Sequence, residues 1–218
     1  MIEALTTFHK AGWEQYGKRM VDTFLEHWPA EVRIHLYCEN VQPNVKHPRV
    51  VEHDIFEVCP QIRDYLDKHD NPHNNGYRSG VRDFKFDAIK FCYKVFAQCH
   101  RIKNSKAETL LFIDADTVTF DTPPLTELVK LLPHDHFTSY IGRPNNNKLP
   151  FAETGFIMYN LKHPNVREFA DVFEDLYTSG KIFDLRYQVD CFTYDTARKA
   201  IEEKHNAKSN DITGPDGL

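Results

Sequence analysis

The sequence predicts an α/β fold: a mainly parallel central sheet with helices on its faces. Two observations carry this expectation. The N-terminal third reads in the order strand, helix, strand, strand, helix, and strands separated by helical connections pair in parallel. Farther on, Thr109-Leu110-Leu111-Phe112-Ile113 is an apolar run too continuous for a half-exposed strand, which places it in a sheet covered on both sides.

Taken in order, residues 2–8 are apolar and Thr-rich and form a first strand, with 9–12 as a short connection. Trp13, Tyr16, Met20, Phe24 and Trp28 then recur at helical spacing, predicting a helix over 13–27 that Pro29 ends. Residues 32–38 alternate Val32, Ile34, Leu36 and Cys38 with Arg33, His35 and Tyr37, a second strand. Prolines mark 40–48 as loop. Residues 49–53 form a short strand and 60–67 a short helix. The polar, turn-forming stretch 68–80 (His69-Asp70-Asn71-Pro72-His73-Asn74-Asn75-Gly76) reads as a mobile surface loop; such loops act as lids when they border a site.

Asp83 is the expected cap of a long helix over 84–101. Phe84, Ala88, Phe91, Cys92, Val95, Phe96 and Cys99 would share its apolar face. Asp87, Lys90 and Lys94 fall together on the other face, where an exposed ion-pair ladder explains them. Alternatively, the N-terminal part of this helix, with Arg82 and Asp87, faces a nucleotide, since helix N-termini favour anions. After the strand 109–113 come a helix over 123–132, capped by Thr122 with Pro123 in its first position, and a strand over 136–141. A loop covers 143–150. Residues 151–160 form a loop feeding a strand, where Gly155 suggests close approach of a ligand or another backbone. A helix over 165–178 buries Val166, Phe169, Ala170, Phe173 and Tyr177. A segment over 185–206 begins as loop and becomes helix. The tail, 210–218, is turn-rich and offers no closing element.

Length and composition bound the possibilities. The chain has 218 residues, one large domain with room for a substantial core. Its net charge of −5 gives no basic footprint for nucleic acid, and no polybasic run suits an anionic membrane. No apolar run approaches the ~20 residues needed to span a bilayer, and no signal peptide opens the chain. The five cysteines include no Cys-x-x-Cys pair. That excludes the usual zinc and redox motifs and fits reduced thiols in the cytoplasm.

The chemistry concentrates at the end of the apolar strand. Asp114 and Asp116, at i and i+2, point to one side of an extended strand. Paired carboxylates there are not cheap core residues, and a divalent cation would satisfy both. Such oxygen ligands suit Mg²⁺ or Mn²⁺, which bind through one or two carboxylates plus substrate phosphates. The carboxyl end of a strand is where open α/β sheets place ligands. A solvated Asp-x-Asp turn is the plain alternative.

An apolar strand ending in Asp114-Ala115-Asp116, preceded by alternating strands and helices, resembles the GT-A glycosyltransferases, nucleotide-sugar transferases built on a Rossmann-like domain. Four further segments are similar in order. Thr6, Thr7 and Phe8 resemble the strand end that cradles the nucleoside. The helix Phe86-Asp87-Ala88-Ile89-Lys90-Phe91-Cys92-Tyr93-Lys94-Val95-Phe96-Ala97 resembles the one carrying nucleotide-sugar contacts. Glu153-Thr154-Gly155-Phe156, ending at Asn160, resembles the entry that lines the sugar and acceptor pocket. Gln188-Val189-Asp190-Cys191-Phe192 resembles the later acidic segment near the transferred sugar.

The resemblance implies a single GT-A domain over 1–218, with a mixed, mainly parallel sheet between helices on both faces. Residues 1–120 would form the nucleotide-binding half and 121–218 the acceptor-side half, and the natural protein could extend beyond this chain. It implies a hexosyltransferase-type enzyme, Mn²⁺ or Mg²⁺ on Asp114 and Asp116, a UDP-sugar donor by default, and a saccharide or other hydroxyl acceptor. Thr6, Thr7, Phe8, Arg82, Asp87, Lys90, Asp114, Ala115 and Asp116 would hold the donor; Glu153, Thr154, Gly155, Gln188 and Asp190 would line the sugar and acceptor pocket. Many members add a third metal ligand near the C-terminus, often His. Here the only late histidine is His205, inside a predicted helix.

An inverting transferase needs a carboxylate to deprotonate the acceptor hydroxyl, and Glu153 and Asp190 are the candidates. In a retaining enzyme Gln188 or Asp190 would instead steady the sugar. Plainer roles, a capped loop end for Glu153 and a helix N-terminal charge for Asp190, stand beside these. Two rivals remain. Asp114-Ala115-Asp116-Thr117-Val118 also fits the motif of haloacid-dehalogenase-type phosphatases, with Asp114 as nucleophile and Asp116 as acid/base; that motif, however, normally opens its domain. A non-catalytic nucleotide-sugar binding module is the other.

Overall fold

A computed structural model describes residues 1–143 and 151–213. A seven-stranded sheet runs in the order β3-β2-β1-β6-β8-β7-β9. Its strands are β1 (Ile2–His9), β2 (Arg33–Glu39), β3 (Val50–Asp54), β6 (Thr109–Ile113), β7 (His136–Ile141), β8 (Glu153–Asn160) and β9 (Lys208–Asp211). β3, β2, β1 and β6 are mutually parallel. β8 runs antiparallel to both β6 and β7, and β9 joins β7 in parallel. The sheet is therefore mixed and mainly parallel. The chain moves outward from β1 to β2 and β3, then returns on the other side of β1 as β6. That reversal opens a crevice at the strands' carboxyl ends, the usual ligand position in such sheets.

Both faces of the sheet are covered, as the unbroken apolar run of β6 requires. Leu110 and Phe112 enter one core, beneath α3 (Ile55–Val58), α4 (Gln61–His69), α5 (Ala88–Asn104), α7 (Val166–Thr178) and α8 (Asp190–His205). Leu111 and Ile113 enter the other, beneath α2 (Lys18–His27) and α6 (Leu125–Leu131). At the amino end of β1 the buried Glu3 carboxylate accepts hydrogen bonds from Arg101 and from the Ser105 hydroxyl at 2.7 Å, clamping the end of α5 to the sheet. Burial raises its pKa, but bonds from His35, Ser105 and Arg101 outweigh this and leave it at about 2.

Several elements differ from the sequence expectations, each for a local reason. The first helical stretch begins with α1 (Lys10–Gly12) rather than at Trp13, because the His9 Nδ1 accepts the Gly12 N–H at 3.1 Å. A π-helical turn, Trp13–Gly17, separates α1 from α2. The polar stretch 68–80 is not all loop, and the long helix does not begin at Phe84. Instead β4 (Asn75–Arg78) and β5 (Val81–Asp87) form an antiparallel hairpin. Its two-residue turn, Ser79-Gly80, has positive φ at both positions, 51° and 78°, the geometry that suits strand twist. Asp87, not Asp83, caps α5, accepting the Lys90 N–H at 3.0 Å. α6 starts at Leu125 after Pro124, without a side-chain cap from Thr122. The tail does supply a closing strand: β9 lines up beside β7, and Asp211 accepts the Gly142 N–H at 2.8 Å. Most of the loop expected at 143–150, and the tail beyond 213, lie outside the described residues.

Candidate active site

The crevice is a cleft of about 380 Å³. Thr7, Phe8 and His9 come from the end of β1, Glu39 from β2, and Asp114, Ala115 and Asp116 from the end of β6. Facing them are Lys90, Phe91, Tyr93 and Lys94 of α5, Glu153 and Thr154 of β8, and Asp190 and Cys191 at the start of α8. Phe84 of the hairpin, Tyr16 of the π-helical turn, Val189 and Arg143 complete the lining. π-helical turns recur at functional sites, and this one carries a tyrosine to the carboxylates.

Asp114 and Asp116 do not sit on an extended strand. β6 ends at Ile113, and the next residues turn, with the Thr117 N–H donating to the Asp114 carbonyl at 3.1 Å. Both carboxylates still face the cleft, in different settings. Asp116 is exposed and has no hydrogen-bond or ion-pair partner among the described residues. Asp114 lies deeper, its Oδ1 2.8 Å from the Lys94 ammonium. Lys94 also reaches Asp190 Oδ2 at 2.6 Å and lies 4.6 Å from the Phe112 ring centroid. The Thr154 hydroxyl donates to the same Asp190 oxygen at 2.6 Å.

Burial alone would pull the Lys94 pKa down, but Asp114 and Asp190 outweigh it and raise it. Burial would raise Asp190, but Lys94 and the Thr154 hydroxyl leave it below the usual carboxylate range. Asp114 stays above that range. Burial is the main cause, and the Asp190 and Asp116 charges add to it against Lys94. The Tyr16 hydroxyl is raised by burial and then by Asp116 and Asp114, which marks its closeness to the pair.

The remaining expected residues divide. Glu153 lines the cleft, but Arg143 pairs with one of its oxygens and the Gly155 N–H donates to the other at 3.0 Å. Gly155 lies behind the carboxylates: a Cβ there would stand 3.1 Å from Asp114 Oδ2 and 3.3 Å from Glu153 Oε1. Its carbonyl accepts the Asp114 N–H at 2.9 Å, so the close approach is to side chains and backbone. Thr6 points into the core, fully buried with an unpartnered hydroxyl. Arg82 and Asp87 pair with each other outside the cleft lining, where Asp87 is the helix cap. Gln188 is buried beside the cleft, its N–H held by the Lys85 carbonyl at 2.6 Å. The ion-pair ladder is absent: Asp87 and Lys94 are buried and serve different partners. His9, Tyr16, Glu39, Lys94, Arg143 and Cys191 were not among the expected site residues.

The pair fits a divalent cation of modest demands. Asp116 is wholly available and Asp114 keeps Oδ2 clear of Lys94, two carboxylates of the kind Mg²⁺ or Mn²⁺ uses with substrate phosphates and water. No group of three or more His, Cys, Asp or Glu side chains able to hold a metal occurs among the described residues. His205 is paired with Glu168 at 2.8 Å and supplies no third ligand.

No protein-family model matches the chain, and no curated protein matches it in sequence. Solved structures do match in fold. Mouse xyloside xylosyltransferase 1 in its apo form aligns over 98% of this chain and 86% of its own, at 14% identity and a TM-score of 0.58. Apo GlyE, a glycosyltransferase of Streptococcus pneumoniae TIGR4, aligns over 96% of this chain at 14% identity and a TM-score of 0.53; the match spans 44% of GlyE. The galactosyltransferase LgtC, solved with donor and acceptor sugar analogs, aligns over 88% of this chain and 69% of its own, at 9% identity and a TM-score of 0.51. The chain has the GT-A glycosyltransferase fold.

Proposed function

We propose that this protein is a metal-dependent glycosyltransferase that moves a sugar from a nucleoside diphosphate to a saccharide or other hydroxyl acceptor. The observation that carries the reading is the charge of the cleft. Its lining holds five carboxylates (Glu39, Asp114, Asp116, Glu153, Asp190) against three cations (Lys90, Lys94, Arg143). A diphosphate cannot enter such a cleft without a cation to offset the acids, and the two carboxylates best placed to hold one end β6.

When bound, a divalent cation on Asp116 and Asp114 would supply charge neutralisation to the departing diphosphate. The chain's own groups divide the remaining work. Lys90 offers charge to phosphates, Arg143 neutralises Glu153 beside them, and Lys94 fixes Asp114 and Asp190 in one geometry. The enclosing aromatic residues Phe8, Phe91 and Tyr93 exclude water from the nucleoside side. Residues 1–120 then form the donor half and 121–218 the acceptor half. UDP is the default donor nucleotide and hexosyl transfer the default activity. Asp190, held below its ordinary pKa by Lys94, suits positioning better than proton removal, and Glu153 is occupied by Arg143. The five free, buried cysteines suit a reducing compartment, and we place the protein in the cytoplasm. No helix among the described residues is long and apolar enough to cross a membrane.

The test is thermal denaturation against UDP, GDP, CDP and ADP, each with Mn²⁺ or EDTA. A ligand at 100 times its Kd adds about 2.7 kcal/mol, so a metal-dependent shift of several degrees for one diphosphate is expected, lost in Asp116→Asn. No shift with any diphosphate refutes the reading. A binding module without turnover remains the second reading, favoured by the lack of a third metal-ligand side chain among the described residues; a shift without hydrolysis or transfer of the matching nucleotide sugar would select it. The similar folds are glycosyltransferases and lend the phosphatase alternative no support.

A further inference from the structure

An aromatic assembly stands apart from both cores at the lip of the cleft. Phe86 lies on β5, Phe151 just ahead of β8, Tyr187 before α8 and Phe192 in its first turn. Ring centroids are separated by 6.0 Å for Phe86–Tyr187, 5.6 Å for Phe151–Tyr187, 5.6 Å for Tyr187–Phe192 and 5.0 Å for Phe151–Phe192. All four rings are half-buried, and none belongs to either core. Each segment also supplies a residue to the cleft: Phe84, Glu153, and Val189 to Cys191. The Gln188 N–H bond to the Lys85 carbonyl ties the hairpin to this lip.

Three cations border the rings. The Arg186 guanidinium lies 5.1 Å and the Lys85 ammonium 5.5 Å from the Tyr187 centroid, and the Arg78 guanidinium 4.6 Å from that of Phe86. Arg186 has no ion-pair partner among the described residues. Arg78 donates only to the His73 and Tyr77 carbonyls there, and Lys85 has only Asp83, at 3.5 Å. Snorkelling cations over a satellite cluster would account for the rings and the charges separately. It leaves unexplained why a chain of net charge −5 gathers poorly compensated cations around rings at the mouth of its acidic cleft.

We infer that this lip is the acceptor subsite and that it takes a saccharide carrying an anionic group, a carboxylate or a phosphate. The inference rests on the transferase reading above. The half-exposed rings suit the C–H face of a pyranose, and the weakly hydrated, forked guanidinium groups of Arg78 and Arg186 suit a planar or tetrahedral oxyanion. The acidic cleft behind them repels that anion, so the charged substituent stays at the lip while a hydroxyl reaches inward.

Ligand-observed NMR titration of the full chain, without donor, tests this with methyl β-glucoside, methyl β-glucuronide and glucose 6-phosphate at low ionic strength. UDP with Mn²⁺ is titrated separately. At least one anionic glycoside should bind about tenfold tighter than the neutral one, and the better of the two identifies the group. The gap should close to within about twofold in the Arg78→Ala/Arg186→Ala variant, with circular dichroism verifying its fold. Equal binding of neutral and anionic glycosides overturns the inference, as does a gap that survives in the variant. Tighter capture of a DNA oligonucleotide than of any glycoside also overturns it. Nucleotide binding without a gap refutes the subsite alone. A gap without nucleotide binding refutes the transferase reading and with it the acceptor assignment.

Discussion

Replacing Lys94 with Met should be the most damaging single change in the cleft. The ammonium is the shared partner of Asp114 Oδ1 at 2.8 Å and Asp190 Oδ2 at 2.6 Å, and the Lys94 and Asp190 side chains are only 10% and 6% exposed. Removing it strands two carboxylates that face one another across the vacated space. Breaking one partner of a buried ion pair costs about 3–5 kcal/mol, and for a chain of this size each kcal/mol moves Tm by roughly 2–4 °C. Lys94→Met should therefore melt about 10 °C lower at pH 7 in EDTA. Asp190→Asn, which leaves Lys94 with Asp114, should cost less. In Lys94→Met/Asp190→Asn the repulsion is gone, so the double variant should be more stable than the sum of the single losses by about 1–3 kcal/mol. Mn²⁺ should recover more stability in Lys94→Met than in the parent, because it replaces the missing charge. Urea denaturation reads each value. A loss below about 1 kcal/mol for Lys94→Met, or strict additivity in the double variant, would refute a cleft organised around this lysine.

Three further outcomes follow from the geometry. Asp116→Asn should change stability by no more than the ±0.5 kcal/mol typical of exposed positions, yet abolish the Mn²⁺-dependent nucleotide shift; chelation of the parent should mimic it. Gly155→Ala should weaken Mn²⁺–nucleotide binding about tenfold, a loss of about 1.4 kcal/mol, because its Cβ would press at 3.1 Å on Asp114 Oδ2; isothermal titration reads this, and unchanged affinity would show that the carboxylate gives way freely. Stability should decline in two stages with acid. Burial, followed by the neighbouring His35 and Arg101, lowers the His53 pKa to about 4, so its neutral form supports the fold above the ordinary value of 6.5 and that support is lost as pH falls toward 4. Glu3, at about 2 against an ordinary 4.5, supports the fold above 4.5 and loses up to about 3 kcal/mol as pH falls toward 2. His53→Gln should flatten the first stage and Glu3→Gln the second, as measured by melts between pH 7 and 3.

The parts of the fold legible in the sequence were those fixed by burial alone. β6 announced itself because a strand covered on both sides must be apolar at every position, and Leu110 to Ile113 do enter alternate cores. The hairpin was not legible, because two patterns overlap there. Phe84, Ala88 and Phe91 keep a helical spacing that runs straight through Arg82, Phe84 and Phe86, which also suit a period of two. Only the capping geometry decides, and Asp83 and Asp87 are both competent caps on paper. The choice went to Asp87 because the Ser79-Gly80 turn closes a ladder that carries the chain to that residue. β9 was hidden for another reason. Lys208-Ser209-Asn210-Asp211 has no apolar alternation, and what holds it is pairing with β7 and bonds such as Gly142 N–H to Asp211.

The site shows the same division between chemistry and context. Asp114 and Asp116 stand out because two acids after an apolar strand are costly unless something compensates them. Spacing alone puts Lys94 on an exposed ladder, since helical periodicity says which residues share a face and not what that face meets. A signal was nevertheless present. Lys94 is the only charged residue in Phe91-Cys92-Tyr93-Lys94-Val95-Phe96-Ala97, and a lone cation amid so much apolar surface must find an anion or give up its charge. The anions available at the adjoining strand end are Asp114 and Asp116. From that constraint alone, a lysine on the helix entering β6 could have been placed against Asp114. Its second partner, Asp190, is expected at the same cleft only through the resemblance of Gln188 to Phe192 to an acidic segment near the transferred sugar; that Lys94 bridges it to Asp114 depends on where α8 starts in space, which no local spacing supplies.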